Sequence, residues 1–414
     1  MTTYLLFFLF VGTLGSRALG LDLGVAPGIS VKNILLYVAV VVIAIEAAIR
    51  RDRKFELPAV FVSFGALIVY AGLTWLIVIL FVENPYYFPR ETLIRLKTKL
   101  IDQFLMFAVF FYGVTDWQRA LKLLRGLIGV VAFGCVITVI DTFNVPDLGI
   151  ITARSSDGRI EGFVGDAQDF GGLLGFMLPL FVANWWSAAG VRRFLAFLSI
   201  PIALICVLLA ASRGAMVGIV GGAIIAMFYL RKHVSARILA RAAGAAVVLV
   251  TLSAIFVIST EFGQILTTRM TTGVSSGNLQ SLSSGRTAIW SAAWREMAEY
   301  PLSFITGMGW EVYYQTSGYR FATHSVYLDR VYNLGVIGLG LYVLPFLSAI
   351  STTRRAIASA PAEVSALLLG TIVGLMSFMI SMAFSDIHGA ALYVWVFSGL
   401  TLRIAVQMPP VTRV

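Results

Sequence analysis

Four short segments supply cationic side chains or residues that bind anions or move protons. Arg213 lies in Ala211-Ser212-Arg213-Gly214, pinched between two apolar runs with almost no loop. An arginine at a helix centre in a bilayer costs roughly 2.5–3.5 kcal/mol, and less at a helix end. Arg213 is therefore either a snorkelling charge in a tight turn or an anion clamp in a cavity open to the outside. Ser283-Ser284-Gly285-Arg286 precedes a helical stretch reaching Glu299. Serine is a good N-cap, and a helix N-terminus beside an arginine is a ready anion site. Arg286, Trp290, Trp294 and Met297 fall on one helical face. That face is turned either toward lipid or substrate at the interface, or onto the bundle top. His324, in Ala322-Thr323-His324-Ser325-Val326-Tyr327, has the side chain best suited to general-base work near neutral pH. A solitary loop histidine is more often structural or solvated, and the nearby arginines tip the reading toward proton transfer. Arg159-Ile160-Glu161-Gly162 and Gly165-Asp166-Ala167-Gln168-Asp169 lead into another apolar run. Glu161, Asp166 and Asp169 there either position hydroxyls or cap the following helix.

The elements that must hold these residues are membrane helices. Of 414 residues, 59% are hydrophobic and 13% charged, against about 45–50% and about 25% in a soluble domain. One globular core cannot hide that excess. The runs are long and continuously apolar, as in Leu57–Val82, which excludes the alternating pattern of a barrel. A spanning helix needs roughly 20 mostly apolar residues. The chain offers twelve candidates: 3–20, 31–49, 57–82, 93–115, 120–143, 168–188, 194–211, 214–230, 240–260, 330–350, 363–384 and 387–405. The first resembles a signal segment, but no Lys or Arg precedes it and no clear cleavage site follows, so it reads as a slightly short span.

Basic residues concentrate on alternate connectors: Arg50 to Lys54, Arg119/Lys122/Arg125, Arg192-Arg193, Arg231 to Arg241, Arg354-Arg355, and the tail with Arg403 and Arg413. The positive-inside rule puts these connectors and both termini in the cytoplasm. The net charge of +10 then serves orientation, and no nucleic-acid partner is expected. The opposite face carries the loops 83–92, 144–167 and 261–329. The last, between spans nine and ten, is the one long loop, and long loops on a rigid scaffold tend to carry function. Arg159, Arg213, Arg286, Arg320 and Arg330 lie on or near this outer face, where orientation gives no reason for them. The expected fold class is all-α: a single membrane domain over residues 1–414, with short helices in the long loop.

Other features read more plainly. Glu91, Arg95, Lys99 and Asp102 recur on one face of span four, and are expected to pair internally in the bundle. Cys135 and Cys206 sit in apolar runs as small core residues, with no disulfide expected. His233 lies in a basic connector, and His388 follows Asp386 at a helix start as a capping or hydrogen-bonded residue. There is no P-loop, no His-Glu-x-x-His pair and no Asp-x-Asp pair. Nucleotide hydrolysis and metalloprotease chemistry are not indicated.

Four patches in order resemble the O-antigen ligase and O-antigen (exopolysaccharide) polymerase superfamily of bacterial membrane glycosyltransferases. They are Arg159-x-x-Gly162; Ser212-Arg213-Gly214; Gly285-Arg286-x-x-x-Trp290 followed by Pro301, Gly307 and Gly309; and His324-Ser325-x-Tyr327-Leu328 followed by Gly335 and Gly338. The resemblance covers about residues 150–345. The chain departs from it at Asp166-Ala167-Gln168, often Asn-Pro-Asn, and at Ser325, often Asn. These departures bear on the acceptor more than on the reaction. The resemblance implies a GT-C-like bundle in the inner membrane and a periplasmic active site. It implies a donor oligosaccharide on undecaprenyl diphosphate, an acceptor glycan or glycolipid, and no metal or cofactor. Polysaccharide export or chain-length proteins are the expected protein partners. His324 would be the catalytic base and Arg213, Arg286 and Arg159 the diphosphate ligands. Trp290, Tyr327, Glu161 and Asp166 would contact glycan or acceptor. Polymerase and ligase both remain open. So do a secondary transporter or flippase, for which Asp102 would be the main coupling carboxylate, and a non-catalytic assembly partner.

Overall fold

The structure, a computed structural model, describes residues 2–16, 23–49, 57–82, 85–143, 158–230, isolated positions between 244 and 268, 285–313 and 322–408. The ninth sequence-derived span, 240–260, and Arg320 lie largely or wholly outside the described residues, as do His233 and the stretch 269–284. The described chain is a helix bundle: α1 (Thr2–Leu14), α2 (Val31–Ile49), α3 (Ala59–Phe81), α4 (Pro89–Leu96), α5 (Asp102–Tyr112), α6 (Trp117–Thr142), α7 (Ala167–Ser187), α8 (Gly190–Ala210), α9 (Arg213–Leu230), α10 (Arg286–Glu299), α11 (Val326–Ile357), α12 (Ala362–Met382) and α13 (His388–Gln407). A small hairpin, Gly24–Ala26 with Ile29–Ser30, precedes α2. Eight of these helices are long and apolar enough to cross a membrane, namely α2, α3, α6, α7, α8, α11, α12 and α13. Thr2–Leu14 and Arg213–Phe228 are shorter apolar helices.

Side-chain caps explain several helix starts. Asp116 accepts from the Arg119 amide at 2.8 Å, and Ser325 Oγ accepts from Leu328 at 3.4 Å. Pro89 occupies the first turn of α4, where its missing N–H is harmless. One π-helical turn, Lys97–Ile101, joins α4 to α5 and rotates the polar stripe of this span. Asp102 therefore pairs with Lys97, at 2.7 Å, and not with Lys99 as the helical spacing suggested. Asn33 also donates to Asp102, at 3.0 Å. Lys99 and Arg95 turn instead to Glu311 in the long loop, at 2.7 and 3.3 Å. The stripe is paired, but half of its partners come from elsewhere in the chain.

The two ends of α13 show how the bundle is polarised. Near its start, the Ala390 amide donates to Asp169 on α7 at 2.9 Å. Near its end, Arg403 donates to the Val114 carbonyl at 3.0 Å and lies 5.5 Å from the Phe111 ring. Arg403 is thus a buried structural residue, not the solvated orienting charge its tail position suggested. Between these ends, Trp395 packs against Phe64, Phe107 and Phe346.

Small residues set the closest helix contacts. A Cβ on Gly214 would lie 2.1 Å from Ser385 Oγ, and one on Gly218 would lie 2.0 Å from Ser381 Oγ and 2.5 Å from the Ser377 carbonyl. Gly222 faces Ser377 in the same way. This four-residue repeat brings the α9 and α12 backbones together, as small residues do in membrane bundles. It also pins Arg213, one residue before the repeat, to the end of α12. Gly218→Val is expected to destabilise the folded protein by about 1–3 kcal/mol or more through overpacking. Gly72→Ala, where a Cβ meets nothing within 4 Å, is expected to be neutral or stabilising. Thermal unfolding of the detergent-solubilised variants checks both.

Candidate functional site

The site is built around a break in α11. Gly335 has φ 67° and ψ −173°, so the helix is interrupted one-third of the way along. The interruption leaves carbonyls without partners in the helix, and the long loop supplies donors. Met308 N donates to Tyr332 O at 2.8 Å and Gly309 N to Asn333 O at 2.9 Å. The approach demands glycine on both sides. A Cβ on Gly335 would lie 2.1 Å from Ile305 O, and one on Gly307 would lie 2.4 Å from Asn333 O. Here the third and fourth patches of the sequence meet physically. The Tyr313 amide adds a bond to Asn333 Oδ1 at 3.0 Å. A separate small core of Ala293, Met297, Tyr313, Leu328 and Tyr332 joins α10 to the first turns of α11.

His324 immediately precedes this stapled stretch. Its backbone is left-handed at φ 52°, a strained setting for a non-glycine residue and one that clusters at functional sites. Its Nδ1 is buried without a hydrogen-bond partner among the described residues. Burial lowers its pKa, and Arg286 and Arg159 lower it further, while Asp386 and Asp166 oppose them. The imidazole is therefore kept neutral at neutral pH, as a base requires. The same groups show which patches the fold brings into electrostatic range of His324: Arg159, Asp166 and Arg286, from segments far apart in the chain.

Each neighbour is anchored differently. Arg286 is the first residue of α10, after Gly285 at φ 79°, and its Nη1 donates to the Phe384 carbonyl. Arg159 is held by the next residue, whose amide donates to Leu209 O at 3.2 Å. Leu209 in turn lies beside the tight α8–α9 turn, where Ala211 is left-handed at φ 45°. Arg213 follows that turn, on the residue before the Gly214–Ser385 contact. It stands at the same end of the bundle.

The residues expected to contact glycan or acceptor are each tied into the fold. Asp166 caps α7, with Oδ1 accepting from Gln168 and Asp169 at 2.7 and 2.9 Å, so the capping alternative holds for it. Asp169 is a bundle staple between α7 and α13. Glu161 sits at the start of the 3-10 turn Gly162–Val164 and makes no side-chain cap. Tyr327 turns its hydroxyl inward to the Met379 carbonyl at 2.6 Å, which is a packing role. Trp290 donates to the Thr323 carbonyl at 2.8 Å, so it supports the His324 loop in place of a lipid-facing position. On the same helix Met297 is fully buried, while Trp294 is exposed and stacks on Phe304.

Behind His324 lies a charge cluster that sequence reasoning did not assemble. Arg330 is 0% exposed. It donates to Asp329 at 3.0 Å, approaches His388 Nδ1 at 3.5 Å, and stacks against Trp310 and Tyr342 at 5.0 and 5.1 Å. His388 Nε2 lies 3.0 Å from Asp386 Oδ1. Burial pushes the Asp386 carboxyl up, but His388, Lys99 and Arg330 outweigh it and hold it below the usual carboxylate range. The signal was present: an arginine beside an aspartate at the start of an apolar run. What was missing was the partner list, which spans three helices and a loop. Cys135 and Cys206 are buried and unlinked, as expected.

The family described as O-Antigen ligase matches residues 196–343. No curated protein matches the chain. The family match supports the O-antigen ligase and polymerase superfamily that the four patches resemble, and with it a membrane glycosyltransferase of that general type. The matched stretch contains Arg213, Arg286, His324 and the Gly335 break.

The depressed His324 pKa sets a pH signature. The acid limb of the rate should fall below the ordinary histidine value of about 6.5, because activity is lost only as pH drops through the lowered pKa. Removing the Arg286 charge should move that limb upward. Rate–pH profiles of the native protein and Arg286→Gln, or imidazole titration by NMR where Arg286→Gln is inactive, check the direction.

Proposed function

We propose that this protein of O-antigen ligase or polymerase type transfers an oligosaccharide from undecaprenyl diphosphate to an acceptor sugar at the periplasmic face of the bacterial inner membrane. The observation that carries the reading is the convergence of Arg159, Arg286 and His324 at one end of a membrane bundle. Orientation accounts for neither the two cations nor the half-buried imidazole on its left-handed backbone.

The chemistry follows from these groups. The acceptor hydroxyl oxygen attacks the anomeric carbon as His324 takes its proton. The anomeric C–O bond to the diphosphate breaks, and its electron pair leaves on undecaprenyl diphosphate. Attack from the face opposite the leaving group inverts the anomeric centre. Arg286, Arg159 and Arg213 hold the diphosphate, whose charge grows as the bond breaks. Guanidinium groups suit that task through bidentate bonds to phosphate oxygens. The reading assigns this charge to arginines and requires no metal. With the basic connectors inside, both termini are cytoplasmic and the site faces the periplasm. Polymerase is the slightly favoured branch, since no feature points to a lipid A–core acceptor. Asp102, the carboxylate a proton-coupled carrier would use, is already tied to Lys97 and Asn33, which weighs against a transporter.

Purified protein supplied with an undecaprenyl-diphosphate oligosaccharide should form longer glycans. His324→Ala should lower the rate by about a hundredfold or more. Arg286→Ala and Arg213→Ala should each raise the barrier by about 3–4 kcal/mol, by analogy with oxyanion sites. A ladder of products indicates a polymerase, and a single addition to a lipid A–core acceptor a ligase. Unchanged transfer by all three variants rejects these roles.

A further inference from the structure

Glu311 is buried where a carboxylate has no apolar reason to be. It is 1% exposed, and its backbone is left-handed at φ 58° although it is not glycine. Its two oxygens take Lys99 and Arg95, from the α4 and π-turn segment 212 and 216 residues earlier in the chain. Burial raises the Glu311 pKa, but Lys99 outweighs it, with Arg330 and Arg95 adding, so the carboxylate stays ionised. The residue before it is gripped by the same early segment. Trp310 Nε1 donates to Thr92 O at 3.0 Å, and Tyr87 donates to Trp310 O at 2.8 Å.

The other side of this short stretch faces the start of α11. The Trp310 ring meets the Arg330 guanidinium. Residues 308, 309 and 313 bond Tyr332 and Asn333, and Asn333 donates to Asp329 at 2.9 Å. His324 and its cap Ser325 begin that same helix segment, and Trp290 of α10 bonds the Thr323 carbonyl. Residues 308–313 therefore stand between two bodies. One is the α3–α5 region; the other carries His324 and Arg286.

We propose that Glu311 is a positioning residue whose clasp on Lys99 and Arg95 fixes His324 and Arg286 in register with the rest of the site. The role rests on the transferase reading above. Strained backbone persists where its surroundings over-determine it, and here the surroundings are two cations that need a carboxylate. Replacing the carboxylate by an amide removes the charge that binds Lys99 and Arg95 directly, costly for the largely buried Lys99, and the segment should release.

The test uses the full-length protein in nanodiscs, comparing Glu311→Gln and Glu311→Asp with the native chain. Hydrogen–deuterium exchange at residues 308–313 should speed by about tenfold or more in Glu311→Gln, with distant helices unchanged. The kcat should fall by about tenfold or more while the donor KM stays close to native, as expected of misplaced reacting groups. Glu311→Asp should recover most of both. Should Glu311→Gln not fold, Lys99→Met at the other end of the bond is read in the same way. Native exchange at 308–313 in the variant overturns the clasp, whether or not transfer is detected. Faster exchange throughout the protein, or faster local exchange with native kcat, overturns the positioning role. Absence of transfer by the native chain counts against the transferase reading alone, and the exchange result still decides the clasp.

Discussion

A helix at membrane depth has to satisfy its peptide groups from within the protein, because lipid offers no partners. The break at Gly335 suspends that rule inside α11 and makes the rest of this end of the bundle depend on repair. The repair comes from the backbone of residues 308 and 309, which bond the Tyr332 and Asn333 carbonyls. Once the loop is committed there, α10 packs beside the first turns of α11 and Trp290 reaches the Thr323 carbonyl. The position of His324 is thus a consequence of how a broken helix recovers its hydrogen bonds. The need for glycine at 307 and 335 follows from the same contact, since a Cβ at either would enter the opposing backbone.

Charge at this end is divided between two tasks. Arg330, Asp329, Glu311 and Lys99 neutralise one another in the interior, where an unpaired ion would be strongly unfavourable. Their contacts join α11, the long loop and the π-turn that precedes α5. Arg159 and Arg286 instead act on His324, whose proton affinity is lowered first by burial and then by these cations against Asp386 and Asp166. The interior set holds geometry, and the set around the imidazole is the one proposed to meet the substrate. Asp386 belongs to both, being bound to His388 on one side and acting on His324 on the other.

Much of the scaffold was legible because it is written in local periodicity. Runs of apolar residues long enough to cross a bilayer appear as helices at nearly every predicted position among the described residues. The errors share a cause. The stripe Glu91, Arg95, Lys99 and Asp102 was expected to pair internally, but the π-turn Lys97–Ile101 shifts the face and gives Asp102 Lys97 as its partner. Tyr327 and Trp290 were placed correctly in the chain, yet their hydrogen bonds go to Met379 and Thr323, partners that spacing cannot reveal.

The sequence by itself determined that this is a membrane helix bundle, and it singled out the arginines and the histidine that orientation leaves unexplained. Hydropathy, helix length and the positive-inside bias are properties of short windows, so they survive without knowledge of the fold. Only the tertiary structure decided which charges are spent on one another and which remain around His324. Glu311 and Lys99 lie 212 residues apart, and Arg159 acts electrostatically on His324 from a distant segment of the chain. Whether a buried ion is a structural counter-charge or part of a site depends on what lies within a few ångströms of it, and that is a property of packing alone.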